Sequence, residues 1–202
     1  MNAISLLLAD KDTNDREVVE TTLQKIPTHL LTIAAEQHMR IVVLRQRQTY
    51  ATASPALKKI NVNVDAWPIP PAGLFVVEER TVYLRSTSAM TVAHETMHAI
   101  DCALGEGAYL SSSDPNIRHC FERATAFVTP YAASGLDEYF AECGRAMLGV
   151  NDSGSLWPAV SPKRLLQLDP PMHQRMTEIF TPRETRRLFM YDDFPRQTSQ
   201  AY

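Results

Sequence analysis

One stretch constrains this chain more than any other: His94-Glu95-Thr96-Met97-His98, running on into Ala99-Ile100-Asp101. On a helix, residues four apart lie one turn apart on the same face, so both imidazoles can point at a single ion. The flanking pattern predicts that helix. Met90, Ala93, Met97, Ile100 and Leu104 recur at spacings of three and four and form one apolar stripe. His94, His98 and Asp101 form a second stripe on an adjacent face, and Gly105 and Gly107 can stop the helix. A zinc-binding helix needs this arrangement, with the carboxylate of Glu95 beside the metal as a general base.

Catalytic zinc takes three protein ligands and leaves one position for water. The segment Ser134 to Cys143 is the candidate for the third. Ser134 with Asp137 reads as a capping box, Leu136, Phe140, Cys143 and Met147 as a buried stripe, and Gly149 as the helix end. Glu138, Glu142 and Arg145 share a different face, and one of the two glutamates is expected to reach the metal. Standing alone, the pair would read as two solvated carboxylates.

These residues together resemble the catalytic domain of anthrax lethal factor and its relatives, which include the secreted Pro-Pro endopeptidases. The resemblance rests on His94-Glu95-x-x-His98-Ala99-Ile100-Asp101, then Tyr131, then Glu138-Tyr139-Phe140-Ala141-Glu142. It implies an α+β, zincin-like metallopeptidase fold: a small mixed sheet, the active-site helix and a mainly helical C-terminal part. By the same resemblance Glu138 is the third ligand of one Zn2+ ion. Tyr131, seven residues earlier, stabilises the oxyanion, and Asp101 and Glu142 orient the ligands. Thr96 and Met97 depart from the aromatic and small residues usual between the histidines. The match is close from Gly73 to Val150 and looser from Ile26 to Phe180. The expected organisation is an N-terminal helical arm (1–26), a metallopeptidase domain (27–191) and a C-terminal tail (192–202).

The implied activity is zinc-dependent endopeptidase cleavage of a peptide or protein. Two other readings fit the motif: a zinc-stabilised module without turnover, and an aminopeptidase of the Mlc titration factor type. Retention of Glu95 and Tyr131 argues against the first, and the short distance from His98 to Glu138 argues against the second. With 202 residues, 45% of them hydrophobic and 21% charged, the chain reads as one globular domain. A net charge of −3 leaves no basic surface to argue for nucleic acid or an anionic membrane. No run approaches the ~18 apolar residues of a membrane span. The run Ile4 to Ala9 lacks the basic leader of a signal peptide, so the expected location is cytoplasmic, with signal-less export open. Three cysteines, Cys102, Cys120 and Cys143, suggest reduced thiols used for packing.

Along the chain, helices are expected over 13–26 and 28–37 and a strand over Arg40–Leu44. Ile60 to Val64 alternates like a short strand, and Trp67 to Gly73 is a proline-stiffened loop that reads as packing or as a substrate contact. Leu74–Val77 and Thr81–Arg85 form a hairpin. One edge strand, 81–85 or its neighbour, is expected to pair with substrate backbone. Helices are further expected over 116–127, 170–180 and 182–190. His119 reads as a surface or core residue before it reads as a ligand.

Overall fold

The computed structural model describes residues 2–8, 15–155 and 158–182. In chain order these form α1 (Ala3–Leu7), α2 (Arg16–Leu23), α3 (Thr28–Glu36), β1 (Arg40–Val43), α4 (Tyr50–Ala53), α5 (Pro55–Lys59), β2 (Gly73–Val76), β3 (Thr81–Leu84), α6 (Ala89–Leu104), α7 (Leu110–Ser113), α8 (Pro115–Arg123), α9 (Leu136–Leu148), α10 (Pro162–Leu168) and α11 (Pro170–Phe180). The fold is the α+β, zincin-like one, with a small mixed sheet and helices from α6 onward. The expected helix over 182–190 falls almost wholly outside the described residues.

The sheet has the order β1-β3-β2, with β1 parallel and β2 antiparallel to β3. All four residues of β3 are buried, because β3 is central and covered on both faces. Phe75, Val82 and Leu84 join the main core with α6, while Val76 and Tyr83 face a smaller cluster with Leu44, Tyr50, Leu57 and Val64. The hairpin between β2 and β3 turns through Val77–Glu79 and the left-handed Arg80, at φ 51°.

The short strand expected at Ile60 to Val64 is absent. Ser54 caps α5 through the Leu57 N–H, Asn61 turns left-handed at φ 55°, and Val64–Ala66 is a 3-10 turn. Ile60 is 64% exposed, so its alternation with Val62 never faced one core. Local caps outweighed a weak period-two pattern. Helix α8 also stops early, at Arg123, because Ala124 is extended.

Helices α1 and α2, from the segment expected as an arm, place Ile4, Leu7, Val19 and Leu23 in the main core. Helix α6 sits at the centre of that core, buried at every position from Thr91 to Ala103. It crosses α9 closely at Gly144, where an added Cβ would come within 2.5 Å of Met97 Sδ. That approach sets α9 close enough for its carboxylates to meet the α6 histidines. No helix among the described residues is long and apolar enough to cross a membrane.

Candidate metal centre

Ser88 caps α6 through the Thr91 N–H, and Gly105 ends it. Helix α9 ends at the left-handed Gly149, as its sequence implies. Its start differs from the expected capping box: Gly135 is the cap, and the Ser134 hydroxyl donates instead to the Tyr131 carbonyl at 2.7 Å. Ser134 thus closes the 3-10 turn Tyr131–Ala133, which holds Tyr131 over the site.

Three donor atoms converge between the two helices. His94 Nε2 lies 3.0 Å and His98 Nε2 3.3 Å from Glu138 Oε2, and the two Nε2 atoms are 3.1 Å apart. Ligands ~2.0–2.1 Å from one tetrahedral zinc ion would stand ~3.3 Å from each other. The triangle therefore fits three corners of such a site. Glu138 Oε2 is buried and has no hydrogen-bond partner, although two ring nitrogens lie beside it. Three lone pairs facing one point repel unless a cation, either a metal ion or a proton on a ring nitrogen, lies among them. The residues present fit a metal ion.

The remaining polar atoms of His94 and Glu138 are held by neighbours, whereas His98 Nδ1 is buried with no hydrogen-bond partner. His94 Nδ1 lies 2.8 Å from Glu142 Oε1, which orients the ring so that Nε2 faces the cluster. Glu142 accepts from Thr129 Oγ1 at 2.6 Å and from Arg145 Nε and Nη2 at 3.0 and 2.7 Å. Tyr131 donates to Glu138 Oε1 at 2.7 Å. Asp101 is tied to α7 rather than to a histidine: the Ser111 N–H and hydroxyl donate to it at 2.8 and 2.6 Å. His119 is exposed.

Charge in the site follows from this packing. Burial disfavours the His94 cation, but the carboxylates of Glu138 and Glu142 outweigh it and lift the group to about 10. Glu142 moves the other way, down to about 2, because the His94 and Arg145 hydrogen bonds overcome its burial. Burial pushes Glu95 up from the ordinary carboxylate range, although both histidines pull it down. Burial and the bond to Glu138 raise Tyr131, which therefore stays protonated and able to donate. Burial lifts Asp101 to about 7 against the pull of the Ser111 bonds.

A cleft of about 350 Å³ opens beside the cluster, lined by His94, Glu95, Thr91, Tyr131 and residues 69–73. Gly73, the first residue of β2, belongs to its lining. Of the two expectations for a free edge, 81–85 is excluded because β3 pairs on both sides, and β2 remains. The Phe75 backbone hydrogen-bonds Glu95, and a Cβ on Gly73 would stand 2.4 Å from Glu95 Cγ. Only glycine lets the strand lie that close to the Glu95 side chain.

Thr129 and Gly73 were not singled out by sequence reasoning as parts of the site. Thr129 had one available signal, a hydroxyl two residues before Tyr131. For Gly73 the signal was a glycine opening a strand that leads toward the motif helix.

No protein-family model matches the chain, and no curated protein matches it in sequence. Among solved structures it resembles that of a Pro-Pro endopeptidase, PPEP-2, from Paenibacillus alvei. The TM-score is 0.63 at 21% identity, over 88% of this chain and 100% of that one. At that identity the likeness is one of fold, and it places this chain's architecture beside that of a peptidase.

Proposed function

We propose that the protein is a zinc metalloendopeptidase of the lethal factor type, acting on peptides or proteins. The observation that carries this reading is the convergence of His94 Nε2, His98 Nε2 and Glu138 Oε2 next to a buried glutamate in an edge-strand cleft. His94, His98 and Glu138 would hold one zinc ion, which when bound supplies Lewis-acid polarisation and a more acidic water.

The chain's own residues supply the rest. Glu95, which burial raises above the ordinary carboxylate range, accepts a proton from the attacking water and returns it to the leaving amine. Tyr131 is 43% exposed and bonded to Glu138, so its ring has room to redirect the hydroxyl to the developing oxyanion. Glu142 holds His94 in one tautomer, and Thr129 and Arg145 hold Glu142. The free edge of β2 pairs with an extended substrate.

Replacing Glu95→Gln tests the reading. The variant should keep its zinc and lose about 10²–10⁴-fold in cleavage of blocked peptides. Hydrolysis at the parent rate would remove Glu95 as the base, and cleavage only of peptides with free amino termini would point to an aminopeptidase.

A further inference from the structure

The far wall of the cleft carries chemistry that the mechanism leaves unused. Ile69, Pro70, Pro71 and Ala72 line the same space as His94, Glu95 and Tyr131. Ile69 is 85% exposed and Trp67, two residues earlier, 53% exposed, so these two side chains do not serve as packing. A lone exposed isoleucine is ordinary on a protein surface. Two features set this one apart.

The first is rigidity. Pro68, Pro70 and Pro71 fix the backbone of the loop. Both of its ends are pinned from below. Asp65 accepts the N–H groups of Tyr50 and Ala51, each at 3.1 Å, and pairs with Arg85. The fully buried Tyr50 donates its hydroxyl to the Pro71 carbonyl at 2.8 Å, with the Arg85 guanidinium 4.8 Å over its ring. The Ala72 carbonyl accepts from the N–H groups of Arg85 and Ser86 at 2.9 and 2.8 Å. The exposed side chains thus stand on a loop that cannot fold back over them.

The second is charge. From Ile69 to Gly73 the wall has no charged side chain, and Met90 lies on the same cleft. The acidic and basic side chains lining it, His94, Glu95, Glu142 and Arg145, all stand on α6 and α9 and none on the loop. Glu142 and Arg145 are paired with each other. A substrate carboxylate entering here meets Glu95 and an apolar wall, and a substrate ammonium loses water against the same wall.

Resting on the metallopeptidase reading, we propose that Ile69 determines specificity. It packs against an apolar side chain of the substrate near the scissile bond, and Tyr50 is the positioning residue that holds the wall in place. The preferred substrate is then an extended segment with an aliphatic or aromatic residue at one flanking position, not a charged one. Preorganisation of the loop spares the ordering cost that a flexible wall would incur on binding.

Two measurements on the full, zinc-loaded chain test this. In the first, the parent, Ile69→Asp and Tyr50→Phe cleave blocked peptides that carry Leu, Phe, Asp or Lys at each position around the cut. The parent should favour Leu or Phe over Asp and Lys by at least about tenfold at one position. Ile69→Asp should abolish that preference. Tyr50→Phe should raise KM for the Leu peptide with kcat nearly kept. In the second, the same peptides bind to Glu95→Gln and to Glu95→Gln with Ile69→Asp, read by fluorescence anisotropy. An unchanged preference in Ile69→Asp, or a parent preference for a charged residue, overturns the proposal. Ile69-dependent binding without any cleavage by the parent overturns the hydrolase reading and leaves the wall assignment standing.

Discussion

Glu142→Gln separates two jobs that one carboxylate performs. Glu142 and Arg145 are 4% and 1% exposed, and the pair is joined through two guanidinium nitrogens, at 3.0 and 2.7 Å. An amide keeps the volume but offers one acceptor oxygen to His94, Thr129 and Arg145, and turns a donor toward one of them. Removing one partner of a buried pair costs about 3–5 kcal/mol. Because the amide still satisfies part of the network, about 3 kcal/mol is the expected loss. At roughly 2–4 °C per kcal/mol for a chain of this size, the metal-free protein should melt about 6–12 °C lower. Loss of the His94 Nδ1 partner should separately weaken zinc binding by about 10–100-fold. Thermal unfolding in chelator reads the first effect and competition with a zinc indicator reads the second. Adding Arg145→Met to Glu142→Gln removes the stranded cation, so it should restore part of the melting temperature and none of the zinc affinity. The ligand-orienting role is refuted if Glu142→Gln loses stability yet binds zinc like the parent. It is refuted equally if the double variant regains full affinity.

Two further outcomes follow from the same geometry. Gly73→Ala should lower kcat by at least about tenfold while melting within a few degrees of the parent, because the new Cβ displaces Glu95 rather than opening the core; parent-like turnover would show that β2 does not fix the base. Zinc must displace the proton that His94 holds in the metal-free protein up to about pH 10. Apparent affinity should therefore rise about tenfold per pH unit from neutral pH toward that value, with about one proton released per ion in calorimetry across buffers. A flat profile would mean that His94 does not hold its proton so tightly in the metal-free protein.

How far the sequence carried the reading depends on the kind of signal involved. The motif helix was legible because a 3.6-residue period over Met90 to Leu104 is long and is followed by a glycine stop. The observed helix, Ala89–Leu104, matches it. The choice between Glu138 and Glu142 was not legible from spacing, since both lie on one face of α9. In the structure Glu138 faces both Nε2 atoms and Glu142 reaches the far side of the His94 ring. Which strand lies at the edge was equally hidden, because it depends on β1 arriving from 41 residues upstream to pair with β3. The stretch 45–72 resisted reading for a different reason. Its turns are set by single side chains, such as Ser54 on the Leu57 N–H and Asp65 on Tyr50 and Ala51, which leave no periodic trace.

A metallopeptidase built this way requires His94, His98 and Glu138 to share one ion. Crystals of the zinc-loaded protein, with diffraction recorded on either side of the zinc absorption edge, answer this directly. One anomalous peak is expected within about 2.0–2.2 Å of His94 Nε2, His98 Nε2 and a Glu138 oxygen. A peak elsewhere, or none with zinc in excess, would contradict it.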